Sequence, residues 1–232
     1  MAARCLLYYI SDRSQFHGDE PARRRTLLDK IAEATHAGVD YIQLREKDLS
    51  TAELERLARQ AVGAVREAAL REARPASGNS QLATRLLINS RTDVALAVGA
   101  DGVHLRSDDT SVSIVQSIWT EASSGSSRLA ARSPLLAVSC HSVSDVFRAE
   151  SEGADFAVFA PVFEKKAVPG THPQGLSALG EACKARIPIL ALGGITLENA
   201  AACVTAGAVG IAGIRLFQEN RISGVVRALH AL

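Results

Sequence analysis

"AGVDYIQL" (37–44), "VGADGVHL" (98–105), "EGADFAVF" (152–159) and "AGAVGIAG" (206–213) are four versions of one phrase, a glycine and then an apolar run. The phrase reads as a helix end turning into a strand, because glycine tolerates the left-handed backbone that closes a helix. Its glycines stand at positions 38, 99, 153 and 207. Each interval therefore has room for two βα units of roughly 25–30 residues. Four further aliphatic runs supply the missing strands: "CLLYYI" (5–10), "RLLINS" (85–90), "LLAVSC" (135–140) and "IPILALGG" (187–194). Short runs of this kind suit strands buried on both faces.

Helical patterns fill the gaps. In 51–71, Leu54, Leu57, Ala58, Ala61, Val65 and Ala68 form one apolar stripe, with Glu53, Arg56, Arg59 and Glu67 elsewhere. Segments 22–37, 143–152, 197–205 and 222–231 also read as helices, and the polar stretches 74–81 and 123–128 as surface loops. Eight strands alternating with helices predict a (β/α)8 TIM barrel, one α/β domain over residues 1–232. A doubly wound open sheet is the competing fold, but no GxGxxG turn follows the first strand.

Composition limits the partners. The chain has 232 residues, a formal net charge of +1 and 4% aromatic residues. That balance offers no electrostatic case for nucleic acid or a membrane surface, and no aromatic platform for single strands. The apolar run near the N-terminus meets Asp12 too soon for a signal peptide or a membrane span. Cys5, Cys140, Cys183 and Cys203 are widely spaced and lie in apolar segments, so buried free thiols in a reducing, cytoplasmic setting are expected. Barrels of this size commonly pair, which makes a homodimer an open expectation.

In a barrel of this kind function sits at the C-terminal strand ends. In "YIQLREKD", Ile42 and Leu44 share one face, which turns Gln43, Arg45 and Lys47 toward the mouth. Cations there call for an anionic ligand or for a carboxylate such as Glu46 or Asp48. "LLINS" brings Asn89 to the same rim, and "GVHLRSDD" brings His104, Arg106, Asp108 and Asp109. Adjacent carboxylates either hold Mg2+ or cap the helix that starts near Ser111. Ser139 and His141 share a face of "LAVSCHS"; the histidine suits acid–base work or the capping of a backbone carbonyl. Gly193 and Gly194 close the seventh strand just before a helix expected from Thr196, and "IAGIRLF" places Ile214 and Arg215 after the eighth. Consecutive glycines at a helix start, with an arginine beside them, suit a phosphate. The loop "VFEKKAVPGTHPQG" (162–175) adds Lys165 and Lys166 as anion contacts.

In this order the motifs resemble the thiamine-phosphate synthase and TenI-type thiazole tautomerase family. The resemblance runs from about residue 5 to 220 and is carried by "QLREK" (43–47), "ADGVHL" (100–105), "VSCHS" (138–142), "GADFAVFAPVFE" (153–164) and "IPILALGGIT" (187–196). It implies a (β/α)8 barrel and a small phosphorylated thiazole as substrate. Synthase members join hydroxymethylpyrimidine diphosphate to thiazole phosphate with Mg2+ and release pyrophosphate. Carried over, Gln43, Arg45, Lys47, Asn89 and Ser139 would line the diphosphate, and Gly193 and Gly194 would hold the thiazole phosphate.

Three positions depart from the synthase pattern. Ser90 stands where an aspartate binds metal, which leaves Asp109 alone as a metal ligand. Lys165, Lys166, Ala167 and Val168 replace a Thr-x-Thr-Lys run, and Arg215 replaces a serine. TenI-type members lack the metal site and aromatise a thiazole phosphate carboxylate by proton transfer, with a histidine after strand five that matches His141. The sequence therefore leads to a TenI-like tautomerase with no cofactor. The alternatives are an Mg2+-dependent synthase and a non-catalytic thiazole- or thiamine-phosphate binding protein.

Overall fold

The glycines of the repeated phrase all take positive φ: 82° at Gly38, 65° at Gly99, 88° at Gly153 and 109° at Gly207. After each one, the next amide turns back onto the last helical turn. Val39 N–H donates to Ala34 O (3.0 Å), Ala100 to Ala95 (3.0 Å), Ala154 to Ala149 (3.0 Å) and Ala208 to Cys203 (3.1 Å). This is helix closure by a left-handed residue, used at four places. Three copies continue with an aspartate, and each aspartate reaches sideways. Asp40 accepts from Leu7 N–H (2.8 Å), Asp101 from Leu86 N–H (2.8 Å) and Asp155 from Leu136 N–H (2.7 Å). Those amides belong to the second residues of neighbouring strands, so the phrase ends one helix and ties down the adjacent strand.

The computed structural model describes residues 4–72, 83–124, 133–164 and 172–232. The strands are β1 (Leu6–Ile10), β2 (Tyr41–Leu44), β3 (Arg85–Asn89), β4 (Gly102–Leu105), β5 (Leu135–Cys140), β6 (Phe156–Phe159), β7 (Ile189–Ala191) and β8 (Gly210–Gly213). Between and after them run α1 (Glu20–His36), α2 (Thr51–Glu72), α3 (Thr92–Val98), α4 (Val112–Ser124), α5 (Val143–Ser151), α6 (Gly175–Ala182), α7 (Ala200–Thr205), α8 (Arg215–Gln218) and α9 (Ile222–His230). All neighbouring strands pair in parallel in chain order, and β8 closes onto β1 through Leu6↔Gly210 to Tyr9↔Gly213. The predicted (β/α)8 barrel is what the chain forms. Among the described residues no helix is long and apolar enough to cross a membrane. All four cysteines are free, and Cys5, Cys140 and Cys203 are buried.

Alternation along the strands makes two cores. Leu7, Tyr9, Ile42, Leu44, Ile88 and Val103 pack outward under the helices. Tyr8, Ile10, Leu87, Ala137, Phe156, Val158, Leu190 and Ala212 fill the barrel itself. At its lower end Tyr41 stacks on Phe156 with ring centroids 4.9 Å apart, and Tyr8 meets both rings edge-on. The base is thus filled with aromatic rings, and Gln43, His104 and Ser139 lie above them toward the C-terminal strand ends.

One expected helix start moves. The helix after β7 begins at Ala200 and not near Thr196. Asn199 accounts for the delay: its side chain accepts from Thr196 N–H (2.8 Å) and donates to Gly194 O (3.0 Å), which holds 194–199 as a turn.

Close strand approach leaves no space for a side chain at Gly102. A Cβ there would stand 1.9 Å from Leu135 O. Gly102→Ala is expected to lose more than about 2 kcal/mol in urea unfolding, because backbone must move to admit it. Gly63→Ala, with nothing within 4 Å of the added carbon, is the control and should gain about 0.5–1 kcal/mol from helix propensity.

Candidate functional site

The loop after β1 is fixed by one buried arginine. Arg13 Nη1 donates to Glu46 Oε2 (3.0 Å) and Asp48 Oδ1 (2.7 Å), Nη2 to Asp48 Oδ2 (2.9 Å), and Nε to Glu20 Oε1 (2.8 Å). Glu46 also accepts from Ser11 Oγ at 2.5 Å. The two carboxylates that the sequence offered as partners for Arg45 and Lys47 are therefore engaged by Arg13. A residue outside the motif takes them because the loop after β1 sets its planar fork among three carboxylates at once.

Arg45 is left in a different state. Its backbone N–H donates to Ser11 Oγ (2.9 Å), and its half-buried guanidinium has no hydrogen-bond or ion-pair partner among the described residues. Desolvation pulls its pKa down, opposed by the fields of Asp12 and Glu46. Lys47 is exposed, two residues further into the loop. Gln43 points into the barrel as expected and is buried; its Nε2 donates to Tyr8 Oη at 3.0 Å. Asn89 ends β3, half-buried, and its Nδ2 donates to Ser90 Oγ (3.2 Å).

The carboxylates after β4 neither cap α4 nor pair with each other. Asp109 Oδ2 accepts from Ser90 Oγ (2.6 Å) and Arg106 N–H (2.8 Å), and Oδ1 accepts from Arg106 Nε (3.2 Å). Ser90 reaches it from a left-handed backbone, φ 59°. Asp108 pairs with Arg106 as well (3.3 Å), and Val112 N–H, at the start of α4, donates instead to Glu152 Oε2 (3.1 Å). A magnesium ion keeps several waters and is commonly held by one or two carboxylates together with substrate phosphates. Among the described residues no three His, Cys, Asp or Glu side chains converge to hold a metal. Asp109 is thus the carboxylate left at the position the sequence offered for a metal, and Ser90 and Arg106 hold it in place.

Inside the mouth lies a polar chain that the motifs did not reveal. Tyr8 Oη lies 3.0 Å from His104 Nδ1, and His104 Nε2 lies 2.7 Å from Ser139 Oγ. His104 is 2% exposed, and burial, reinforced by the Arg45 charge and opposed by Asp109, pushes its pKa down to about 3. It is neutral at any ordinary pH. The only trace in the sequence was strand phase, since His104 follows the inward Gly102 by two and Tyr8 alternates with outward Leu7 and Tyr9.

His141, the next residue after β5, is exposed. Its backbone N–H donates to Asp145 Oδ2 (3.0 Å), and its Nδ1 lies 2.8 Å from Ala160 O. A carbonyl only accepts, so in the neutral ring Nδ1 carries the proton and Nε2 is bare. Of the two readings left open for this residue, the carbonyl contact is the one the geometry displays.

At the far rim, Gly193 and Gly194 take φ 99° and 65°. A Cβ on Gly193 would lie 2.7 Å from Pro161 Cα, and one on Gly194 2.5 Å from Glu164 O. Contact with the β6 loop is thus a structural reason for the pair. No acceptor among the described residues takes either amide N–H. Ile214 starts α8 by accepting from Gln218 N–H (2.9 Å), and Arg215 is exposed beside it. Gln218 pins this turn to the β1 loop, accepting from Asp12 N–H (2.8 Å) and donating to Asp12 O (3.0 Å). Lys165 and Lys166 lie outside the described residues.

Fold and rim together define a (β/α)8 barrel protein whose mouth carries cations, a serine and a histidine on the C-terminal strand ends. The family model described as thiamine monophosphate synthase (TMP-TENI) matches residues 7–217, and the chain belongs to that family. It is 34% identical over 213 residues to the thiamine-phosphate synthase of Roseiflexus castenholzii, covering 91% of this chain and 80% of that one. To the thiamine-phosphate synthase of Syntrophomonas wolfei subsp. wolfei it is 32% identical over 231 residues, covering 97% and 95%. Among solved structures it resembles the thiamine phosphate pyrophosphorylase from Pyrococcus furiosus, with TM-score 0.72, 26% identity and coverage of 97% and 94%.

The buried histidine makes stability depend on pH. Unfolded, a histidine titrates near 6.5, and in the barrel His104 titrates at about 3. Between those values the unfolded chain binds the extra proton, so its contribution is full above pH 6.5 and is lost as pH falls toward 3. Urea unfolding between pH 4 and 7 should show wild type losing up to ~1.4 kcal/mol per pH unit more than His104→Gln.

Proposed function

We propose that this chain is a metal-independent tautomerase of the TenI type, acting on a thiazole phosphate carboxylate with His141 as the acid–base group. The observation that carries this reading is the His141 ring, whose Nδ1–H is committed to Ala160 O at 2.8 Å. Nε2 is then a free base on the rim, next after the strand that carries Ser139. It would take a proton from one ring atom of the substrate and return it to another, with no net change in formula. Proton transfer of this kind needs a positioned group that titrates near neutral pH.

Electrostatics of the rim support an anionic substrate. Arg45 is half-buried without a protein partner among the described residues, and such a cation gains most from a carboxylate or phosphate oxygen. The amides of Gly193 and Gly194, with Ile214 and Arg215 across β8, suit the phosphate. Gln43, Lys47, Asn89 and Ser139 complete the binding groups, and Lys165 and Lys166 are assigned as further anion contacts on sequence grounds. Asp109 argues against pyrophosphate chemistry through magnesium, since both its oxygens are engaged by Ser90 and Arg106.

The relatives' names favour a second reading, thiamine-phosphate synthase. One experiment separates the two. The protein is offered the non-aromatic thiazole phosphate carboxylate alone, and then thiazole phosphate with hydroxymethylpyrimidine diphosphate, each with Mg2+ and with EDTA. NMR should show tautomer conversion that EDTA leaves unchanged and no pyrophosphate release. His141→Asn should slow conversion roughly 10²–10⁴-fold with substrate affinity retained. Magnesium-dependent pyrophosphate release would establish the synthase reading instead, and tight binding without turnover of either kind would make the protein a binder.

A further inference from the structure

The polar chain under the mouth has a direction. Gln43 Nε2 donates to Tyr8 Oη, so the single proton of that phenol goes to the other neighbour, His104 Nδ1. Tyr8 is fully buried in the barrel core, where an unpaired hydroxyl proton would be costly. With Nδ1 accepting, a neutral His104 carries its own proton on Nε2 and donates it to Ser139 Oγ at 2.7 Å. One of the two lone pairs on the serine oxygen is thereby engaged. Its own proton has no acceptor among the described residues, and Ser139 is half-buried at the mouth end of β5.

We propose that Ser139 is a specificity-determining donor, polarised by the buried chain Gln43–Tyr8–His104 so that its hydroxyl proton faces the mouth and reads an unprotonated acceptor atom on the ligand. Tyr8 and His104 are positioning residues; they act through the serine and do not touch the ligand. A ligand presenting an N–H or O–H at that point could use only the second lone pair, and the hydroxyl would have to turn its own proton away from the ligand, where no acceptor stands among the described residues. Such mismatches discriminate strongly, because one buried polar group is left unpaired. The inference rests on the mouth being the binding site proposed above.

Two measurements test it. The first needs no ligand: 15N NMR of histidine-labelled protein should show His104 protonated on Nε2 and bare on Nδ1, and Tyr8→Phe should remove that fixed tautomer. A proton on Nδ1 would mean that the chain runs the other way and that Ser139 is an acceptor, which overturns the proposal. The second is calorimetry with the thiazole phosphate carboxylate. Ser139→Ala should weaken binding roughly tenfold. His104→Leu should weaken it equally, with no further loss in the double variant, and His104→Gln, which keeps a donor toward the serine, should stay within about twofold of wild type. Additive losses, or a wild-type affinity in His104→Leu, would overturn the proposal. Should His104→Leu fail to fold, Tyr8→Phe takes its place in both measurements. If wild type binds none of this compound, the functional reading fails, and the tautomer measurement still decides the direction of the chain.

Discussion

Closure of β8 onto β1 is the constraint on which the rest depends. Eight short parallel strands have no exposed edge once Leu6–Tyr9 pairs with Gly210–Gly213, and every backbone ladder is satisfied within the ring. Closure needs tight approach at some crossings. A Cβ on Gly210 would lie 2.5 Å from Leu6 O, and one on Gly102 still closer to Leu135 O. Because all strands run the same way, closure also brings eight loops to one rim. Residues from position 43 to position 215 become neighbours of a single mouth for that reason and no other.

The mouth handles its charges in two ways. Some are neutralised within the protein: Arg13 gathers Glu20, Glu46 and Asp48, and Asp109 is held by Ser90 and Arg106. Others keep no such partner among the described residues, Arg45 foremost. The same separation holds for the histidines. His104 is sealed in the barrel and kept neutral, whereas His141 is exposed with one nitrogen committed and the other available. A barrel can thus carry a fixed polar scaffold beneath a solvated rim, since depth along a strand decides which group meets water.

Much of this architecture was legible in the chain. The repeated glycine phrase marked the four helix ends, and the aliphatic runs between the copies marked the other strands, because left-handed closure and two-faced burial leave local signatures. Strand phase correctly sent Gln43 inward and Ile42 and Leu44 outward. Less legible were features made by side chains that reach across the sequence. The turn at Asn199, which delays α7, has a helical pattern in the sequence that two side-chain hydrogen bonds override. Glu46 and Asp48 sit next to the cations they were expected to neutralise, yet their partner comes from 33 and 35 positions away.

By itself, then, the sequence determined the barrel, the order of its strands and the rim on which Gln43, Arg45, Asn89, Ser139, His141, Gly193 and Arg215 stand. Backbone preference and apolar periodicity are local quantities, and those are what it records. Only the tertiary structure decided which charges cancel, which nitrogen of His141 meets the Ala160 carbonyl and which two side chains His104 bridges. Those properties belong to pairs of atoms brought together by barrel closure. Their energies depend on distances of about 3 Å that no spacing along the chain can express.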